Sequence, residues 1–153
     1  MRLRIIWVGK TKNEHIAALS DDYLKRLARF VRCEVAELNA SRLATAREGI
    51  AEEGRRILSA LHADSFLVLL DVGGREFSSP ELAAEVERWQ VLGKREVAFV
   101  VGGHHGVSQE VAARANLRWS LSRLTLTHEL IRPLLLEQIY RAYTIIHGLP
   151  YQK

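Results

Sequence analysis

The sequence predicts an α/β fold with a mostly parallel sheet, and three observations carry that prediction. Short apolar runs recur at Leu3–Val8, Cys33–Leu38, Phe66–Leu70 and Val97–Val101, each the length of a buried strand. Segments with three- and four-residue apolar spacing lie between them. No repeat, low-complexity tract or linker interrupts the alternation, so residues 1–153 are expected to form a single domain.

Each element has its own justification. Ile16, Leu19, Tyr23, Leu27 and Phe30 give the first helix one apolar face, and Ile50, Ile57, Leu58 and Leu61 suggest a second helix. A third starts near Ser79-Pro80-Glu81, where serine can cap and proline fits the first helical position, with Leu82, Val86 and Trp89 facing inward. Ser108 is expected to cap a short fourth helix through Val111 and Ala115. The alternation in Leu121-Ser122-Arg123-Leu124-Thr125-Leu126 predicts a fifth strand over roughly Arg123–Leu126. The last helix runs around His128 to His147 and stops at Gly148. Pro133 sits one turn inside it, so the helix either begins near that proline or is kinked there.

A chain of 153 residues buries roughly two-thirds of its unfolded surface, enough for a full core. Of the net charge of +4, +3 falls on residues 103–153, a mild bias that fits either a polyanionic partner or a basic solvated surface. The lone Cys33 excludes an intrachain disulfide and suits a reducing cytoplasm. The start, MRLRIIWVGK, lacks the long apolar stretch of a secretory signal or membrane span, so a cytosolic location without membrane contact is expected.

Several tempting sites fail on spacing. Gly9-Lys10-Thr11 looks like the end of a phosphate-binding loop, but the required earlier glycine is Arg4. No G-x-G-x-x-G follows the first strand, and no G-x-S-x-G marks a nucleophile elbow. His104 and His105 are adjacent, and no cysteine or carboxylate cluster has ligand spacing, so no metal is expected. What survives is a set of three C-terminal pieces. They are Gly102-Gly103-x-x-Gly106 after a buried strand, the 121–126 alternation, and Glu137–Tyr143 followed by a tail carrying Pro150 and Tyr151. Glycines at a strand end let a ligand approach the backbone, and the alternating segment can wall a flat heterocycle, so the set supports a small-ligand site.

The order VGGHHGVS, then SLSRLTLTHELIRPLLLEQIYRAYTIIHGLPYQK, closely resembles the ribosomal RNA large subunit methyltransferase H family. The start RLRIIWVGKTK, the Leu70-Asp71 strand end with Gly73-Gly74, and SSPELAAEVERW resemble it too. The resemblance implies a SPOUT-class α/β fold: a five- or six-stranded sheet, helices on both faces and a C-terminal trefoil knot. It also implies a homodimer that uses S-adenosylmethionine to methylate N3 of a pseudouridine in helix 69 of 23S rRNA. Cofactor contacts are then expected on Leu70, Gly102 and the segment Leu121, Ser122, Arg123, Leu124, Thr125 and Leu126, with Gly103 and Gly106 opening the backbone. His104 and His105 would occupy a variable pair without a catalytic role. The catalytic candidates are Arg141, to stabilise charge on the target base, Tyr151, to stack on or orient it, and His128 as general base. An ion pair with Glu137 is an equal alternative for Arg141.

Three residues depart from the family pattern. Gln152 stands where relatives usually have histidine, Thr127 replaces a proline and is expected to loosen the turn, and Pro133 lies in a helix that normally lacks it. Gln152 keeps a rival open: a non-catalytic RNA- or ribosome-binding dimer that retains the fold. A second rival is a small-molecule nucleotide-binding enzyme of the same α/β class.

Overall fold

The computed structural model describes residues 1–151, so the expectation attached to Gln152 lies outside the described residues. Strands and helices alternate: β1 (Arg2–Val8), α1 (Glu14–Leu27), β2 (Cys33–Leu38), α2 (Ala46–Ala60), β3 (Phe66–Glu76), α3 (Ser79–Val91), β4 (Glu96–Val101), α4 (Gln109–Arg114), β5 (Leu117–Ser120) and α5 (Ile131–Ile146). All pairings are parallel, in the order β2-β1-β4-β3-β5. β4 lies at the centre and is buried at every position, which is why it reads as an unbroken apolar run.

The helices divide between the two faces. α1, α3 and α5 pack on one, where Leu27, Trp89, Phe99, Leu135 and Ile139 share a core. α2 and α4 cover the other, over Ile57, Leu67, Val100 and Val111. The crossovers obey one rule. β1→β2 and β3→β4 move toward β2 with their helices on the first face; β2→β3 and β4→β5 move the opposite way with helices on the second. Reversing both direction and face preserves handedness, as parallel crossovers require.

The structure corrects four expectations. Arg123–Leu126 is not a strand; β5 is the four-residue run before it, Leu117–Ser120. Its register against β3, Val68↔Leu117 to Leu70↔Trp119, uses the sheet edge, after which Ser122 turns the chain. The Ser120 hydroxyl donates to the Ser122 carbonyl at 2.9 Å, and the Leu124 amide donates to the Ser122 hydroxyl at 3.0 Å. The last helix begins at Ile131 rather than His128, so Pro133 sits in its first turn, where a missing N–H has no intrahelical acceptor to lose. Thr127 does not loosen the turn: its hydroxyl accepts the Leu130 amide at 3.2 Å and its carbonyl the Ile131 amide at 3.1 Å. The serine that caps α3 is Ser78, in a reciprocal capping box with Glu81. Among the described residues, no helix is long and apolar enough to cross a membrane.

Candidate active site

The carboxyl ends of the strands carry two hollows. The smaller, about 90 Å³, lies where β3 and β5 meet the 121–131 loop. Leu70, Leu121, Ser122, Leu124, Thr125 and Leu126 line it together, so six sequence-selected residues converge although two stretches of the chain supply them. The seventh, Arg123, turns outward: its side chain is 87% exposed and lies 3.4 Å from Glu76. Asp71, Val72, Trp119 and Ile131 complete the wall. Burial acts to raise the Asp71 pKa, but the Gly73 amide and the Arg118 guanidinium outweigh it and hold the carboxyl below its ordinary range. Among the described residues, the main-chain groups of Arg123, Thr125 and Leu126 make no hydrogen bond within the chain, and they remain open to a ligand.

The larger hollow, about 780 Å³, opens where β1 and β4 end, and Gly9, Lys10, Lys12, Arg42, Glu53, Gly103, His104 and His128 are on its walls. Of the glycines expected at the cofactor, Gly103 lines this larger hollow, and Gly102 and Gly106 line neither. Gly102 directly follows β4, whose register with β3 (Leu69↔Val100) sets it near Leu70 and Asp71; β3 itself runs past the expected end at Leu70 to Glu76. A Cβ there would lie 2.6 Å from the Val107 side chain, and one at Gly103 would lie 2.8 Å from the Glu53 carboxylate. Gly106 closes the tight turn with φ +89°, its amide donating to the Gly103 carbonyl at 3.0 Å. The turn lifts His104 and His105 to the cleft rim, with ring centroids 3.8 Å apart, and His104 lies 6.3 Å from His128.

A buried arginine ties the walls of the two hollows together. Arg132, 0% exposed, donates to the Val8 carbonyl at 2.9 Å, the Thr11 hydroxyl at 2.6 Å and the His128 carbonyl at 3.1 Å. Its guanidinium also lies 4.9 Å from the centre of the Trp7 ring. Burial lowers its pKa, opposed by Glu37 and Glu129. Glu129 adds a second tie, accepting the Lys12 and Asn13 amides at 3.0 and 3.1 Å.

Arg141 and Tyr151 are together, but elsewhere. Arg141 donates from Nε to Glu137 at 3.0 Å, the ion pair expected from the i,i+4 spacing, and lies 4.8 Å from the centre of the Tyr151 ring. The Tyr151 hydroxyl donates to the same carboxylate at 3.0 Å and sits 3.2 Å from the Tyr23 hydroxyl. Burial, then these two hydrogen bonds, push the Tyr151 pKa well above its ordinary value. Ten residues of α5 separate Arg141 from Ile131 on the cavity wall, a rise of about 15 Å. Within one chain the structure does not bring this pair to the cavity.

The family model described as "Predicted SPOUT methyltransferase" matches residues 1–152. The chain belongs to this SPOUT methyltransferase family. Its relatives include the protein named "Ribosomal RNA large subunit methyltransferase H" in Gloeobacter violaceus, 43% identical over 151 residues that cover 99% of this chain and 98% of that one. The protein of the same name in Geotalea daltonii is 42% identical, covering 99% of both chains. Among solved structures, the tRNA (m1G37) methyltransferase from Aquifex aeolicus superposes with a TM-score of 0.55 at 15% identity, over 99% of this chain and 72% of that one. A probable methylase family protein from Haemophilus influenzae gives 0.56 at 14% identity, over 99% and 70%. Those two likenesses are of fold alone.

SPOUT methyltransferases use S-adenosylmethionine, and the walls of the small cavity, about 90 Å³, suit the flat ring of such a group rather than the whole of it. The cavity's leucines offer apolar walls to a flat ring, and the open main-chain groups of the 121–126 segment can read the ring edge. Sequence reasoning missed Trp119, Ile131 and Arg132. Trp119 is hidden because the alternating pattern sets the strand one segment too late, and Ile131 reads only as one more apolar residue of the last helix. Arg132 gave only one signal, a lone arginine between Ile131 and Pro133 in an otherwise apolar stretch. Among the described residues, no group of three or more His, Cys, Asp or Glu side chains could hold a metal ion.

Proposed function

We propose that this SPOUT methyltransferase methylates N3 of a pseudouridine in helix 69 of 23S rRNA, acting in the cytoplasm as a single-domain homodimer whose C-terminal segment is knotted. The observation that carries this reading is the identity of 40% or more, over nearly the whole of both chains, with relatives named as ribosomal RNA large subunit methyltransferase H. S-adenosylmethionine, held by Leu70, Gly102 and the segment Leu121–Leu126, supplies a methyl group as the substituent of a sulfonium.

The chain's own residues supply placement and charge. In-line transfer requires donor and acceptor to be held in register, which Leu70, on a strand paired on both sides within the sheet, helps to provide. N3 of the base is a weakly acidic imide, so its proton must leave as the new bond forms. His128, two residues past Leu126, accepts that proton, while the Arg141 guanidinium stabilises negative charge on the flanking carbonyl oxygens. Tyr151 stacks on or orients the base.

These roles need a second copy. Leu130, Leu134, Glu137 and Arg141 fall at i, i+4, i+7 and i+11, one face of the helix and the residue before it. Leu130 and Leu134 are exposed on that face, and Leu124 beside them is 73% exposed. An apolar strip that leads to Arg141 suits a two-fold contact in which each α5 delivers its Arg141 to the partner's cavity. Release of Arg141 from Glu137 then accompanies substrate binding.

The reading is tested with methyl-labelled S-adenosylmethionine and ribosomes from cells lacking this methylation. Label on the helix 69 pseudouridine supports it and shows that Gln152 suffices. Cofactor binding without label contradicts it and leaves the non-catalytic RNA-binding dimer, for which Gln152→His is the next variant.

A further inference from the structure

The large cleft is not the cofactor cavity, yet the topology marks it as a ligand site. In an open parallel sheet, ligands sit where neighbouring strands send their connections apart. Here β1 leaves toward β2 over one face and β4 leaves toward β5 over the other, so β1 and β4 diverge. The other adjacent strands inside the sheet send their connections across each other. The cleft opens at that divergence, between Val8–Lys10 and Gly103–His104.

Its electrostatics select the ligand. The two acids on the wall already have partners: Glu53 accepts the Ser41 amide at 2.8 Å, and Glu52 accepts Arg56 at 2.7 Å. Among the described residues, the side chains of Lys10, Lys12 and Arg42 make no ion pair or hydrogen bond, although all three line the cleft and are exposed. Four cations on the wall, Lys10, Lys12, Arg42 and Arg56, outnumber its two carboxylates, and three of the four are unpaired, so the cleft calls for an anion. Shape narrows the class further. The cleft shares Asn39, Glu52 and Arg56 with an adjoining hollow of about 600 Å³ that adds Arg55 and Glu37, so the cleft continues as an elongated groove rather than ending as a point.

We infer that the β1/β4 cleft binds the phosphate backbone of a single-stranded RNA segment flanking the methylated base, through Lys10, Lys12 and Arg42. The inference rests on the RNA methyltransferase reading above and adds to it a second site, separate from the cofactor cavity. Arg132 and Glu129 fix the relation between the two, because both tie the β1–α1 connection to the loop that ends in the cavity wall. A strand in the cleft therefore lies at a set distance from the methyl donor. His104 offers a ring face to an unpaired base along the same groove.

The test uses the full-length protein and a fluorescein-labelled single-stranded oligoribonucleotide of about 12 residues, titrated over a range of salt. Lys10→Ala/Lys12→Ala/Arg42→Ala is compared with Lys25→Ala/Arg29→Ala/Arg95→Ala, which removes equal charge near the amino ends of the strands. The cleft variant should bind at least about tenfold more weakly, with the slope of log K against log salt falling by about 2, as expected for three lost phosphate contacts on a single strand. The control variant should change both far less. Equal losses in the two variants, or no loss in the first, would overturn the assignment. So would uridine monophosphate binding as tightly as the oligonucleotide and only to the unsubstituted cleft, which would make it a mononucleotide pocket. S-adenosylmethionine affinity and methyl transfer by the unsubstituted protein report on the underlying reading separately, so the two can fail independently.

Discussion

The hollow beside β3 and β5 is about 90 Å³ and walled by leucines, while the one beside β1 and β4 is about 780 Å³ and rimmed by lysine and arginine. Both open at the same end of the same sheet, and the difference follows from what the chain does after each strand. After β5 it turns at Ser122 and folds an apolar loop back over the strand ends. After β1 and β4 it leaves in opposite directions, and polar side chains from separate connections face the gap. One sheet thus offers a snug apolar slot with open main chain and a broad basic cleft, held in register by Arg132.

Arg132→Ala attacks that register and should have the largest effect. It leaves the Val8 carbonyl unpaired beside a void, and a loss of about 3 kcal/mol of stability is expected in urea unfolding. Arg132→Lys, which retains charge without the fork, should recover only part of it.

Thr125→Trp separates the two hollows. Thr125 is on the rim of the small cavity, and a bulky ring there should weaken S-adenosylmethionine binding by about tenfold or more, roughly 1.4 kcal/mol. Oligoribonucleotide binding should be unchanged, as calorimetry with each ligand can show.

Alkaline pH probes the core on the α1, α3 and α5 face of the sheet. Burial raises the Tyr143 hydroxyl to about 12. Between its unfolded value and about 12 the unfolded chain ionises while the folded one stays protonated. The unfolded state then binds fewer protons, so stability falls as pH rises through that window, while below it the contribution is complete. Denaturant midpoints measured across the range should decline, and Tyr143→Phe should flatten the decline. The smallest effect is expected from Thr127→Val, which removes the acceptor for the Leu130 amide and should cost about 0.5–1 kcal/mol.

Much of this was legible in the sequence where local and tertiary signals agree. β4 reads as a buried central strand because both its faces are covered, and α1 shows its apolar spacing because only one of its faces is. Leu70 and the 121–126 segment, Arg123 apart, line one cavity, although two stretches of the chain supply them. The errors fall where tertiary structure overrides local pattern. Leu121–Leu126 alternates like a strand, but the edge of β3 is already paired by Leu117–Ser120. The alternation instead serves a loop with leucines turned to a cavity and Arg123 to solvent. Thr127 reads as a weakened turn until its hydroxyl is seen to cap the helix entry. Arg132 could not be placed from sequence, since its three acceptors come from residues 8, 11 and 128.

The central claim is that cofactor and Arg141 meet only across two copies, and it is tested most directly by mixing two variants at an S-adenosylmethionine concentration too low to fill the Thr125→Trp cavity. Arg141→Ala retains a working cavity, and Thr125→Trp retains a working arginine. When the two are co-refolded in equal amounts, half the dimers are mixed, and each mixed dimer holds one complete site. Methyl transfer should then return to about a quarter of the unsubstituted level. Activity no higher than that of either variant alone would place Arg141 with its own chain's cavity and contradict the account.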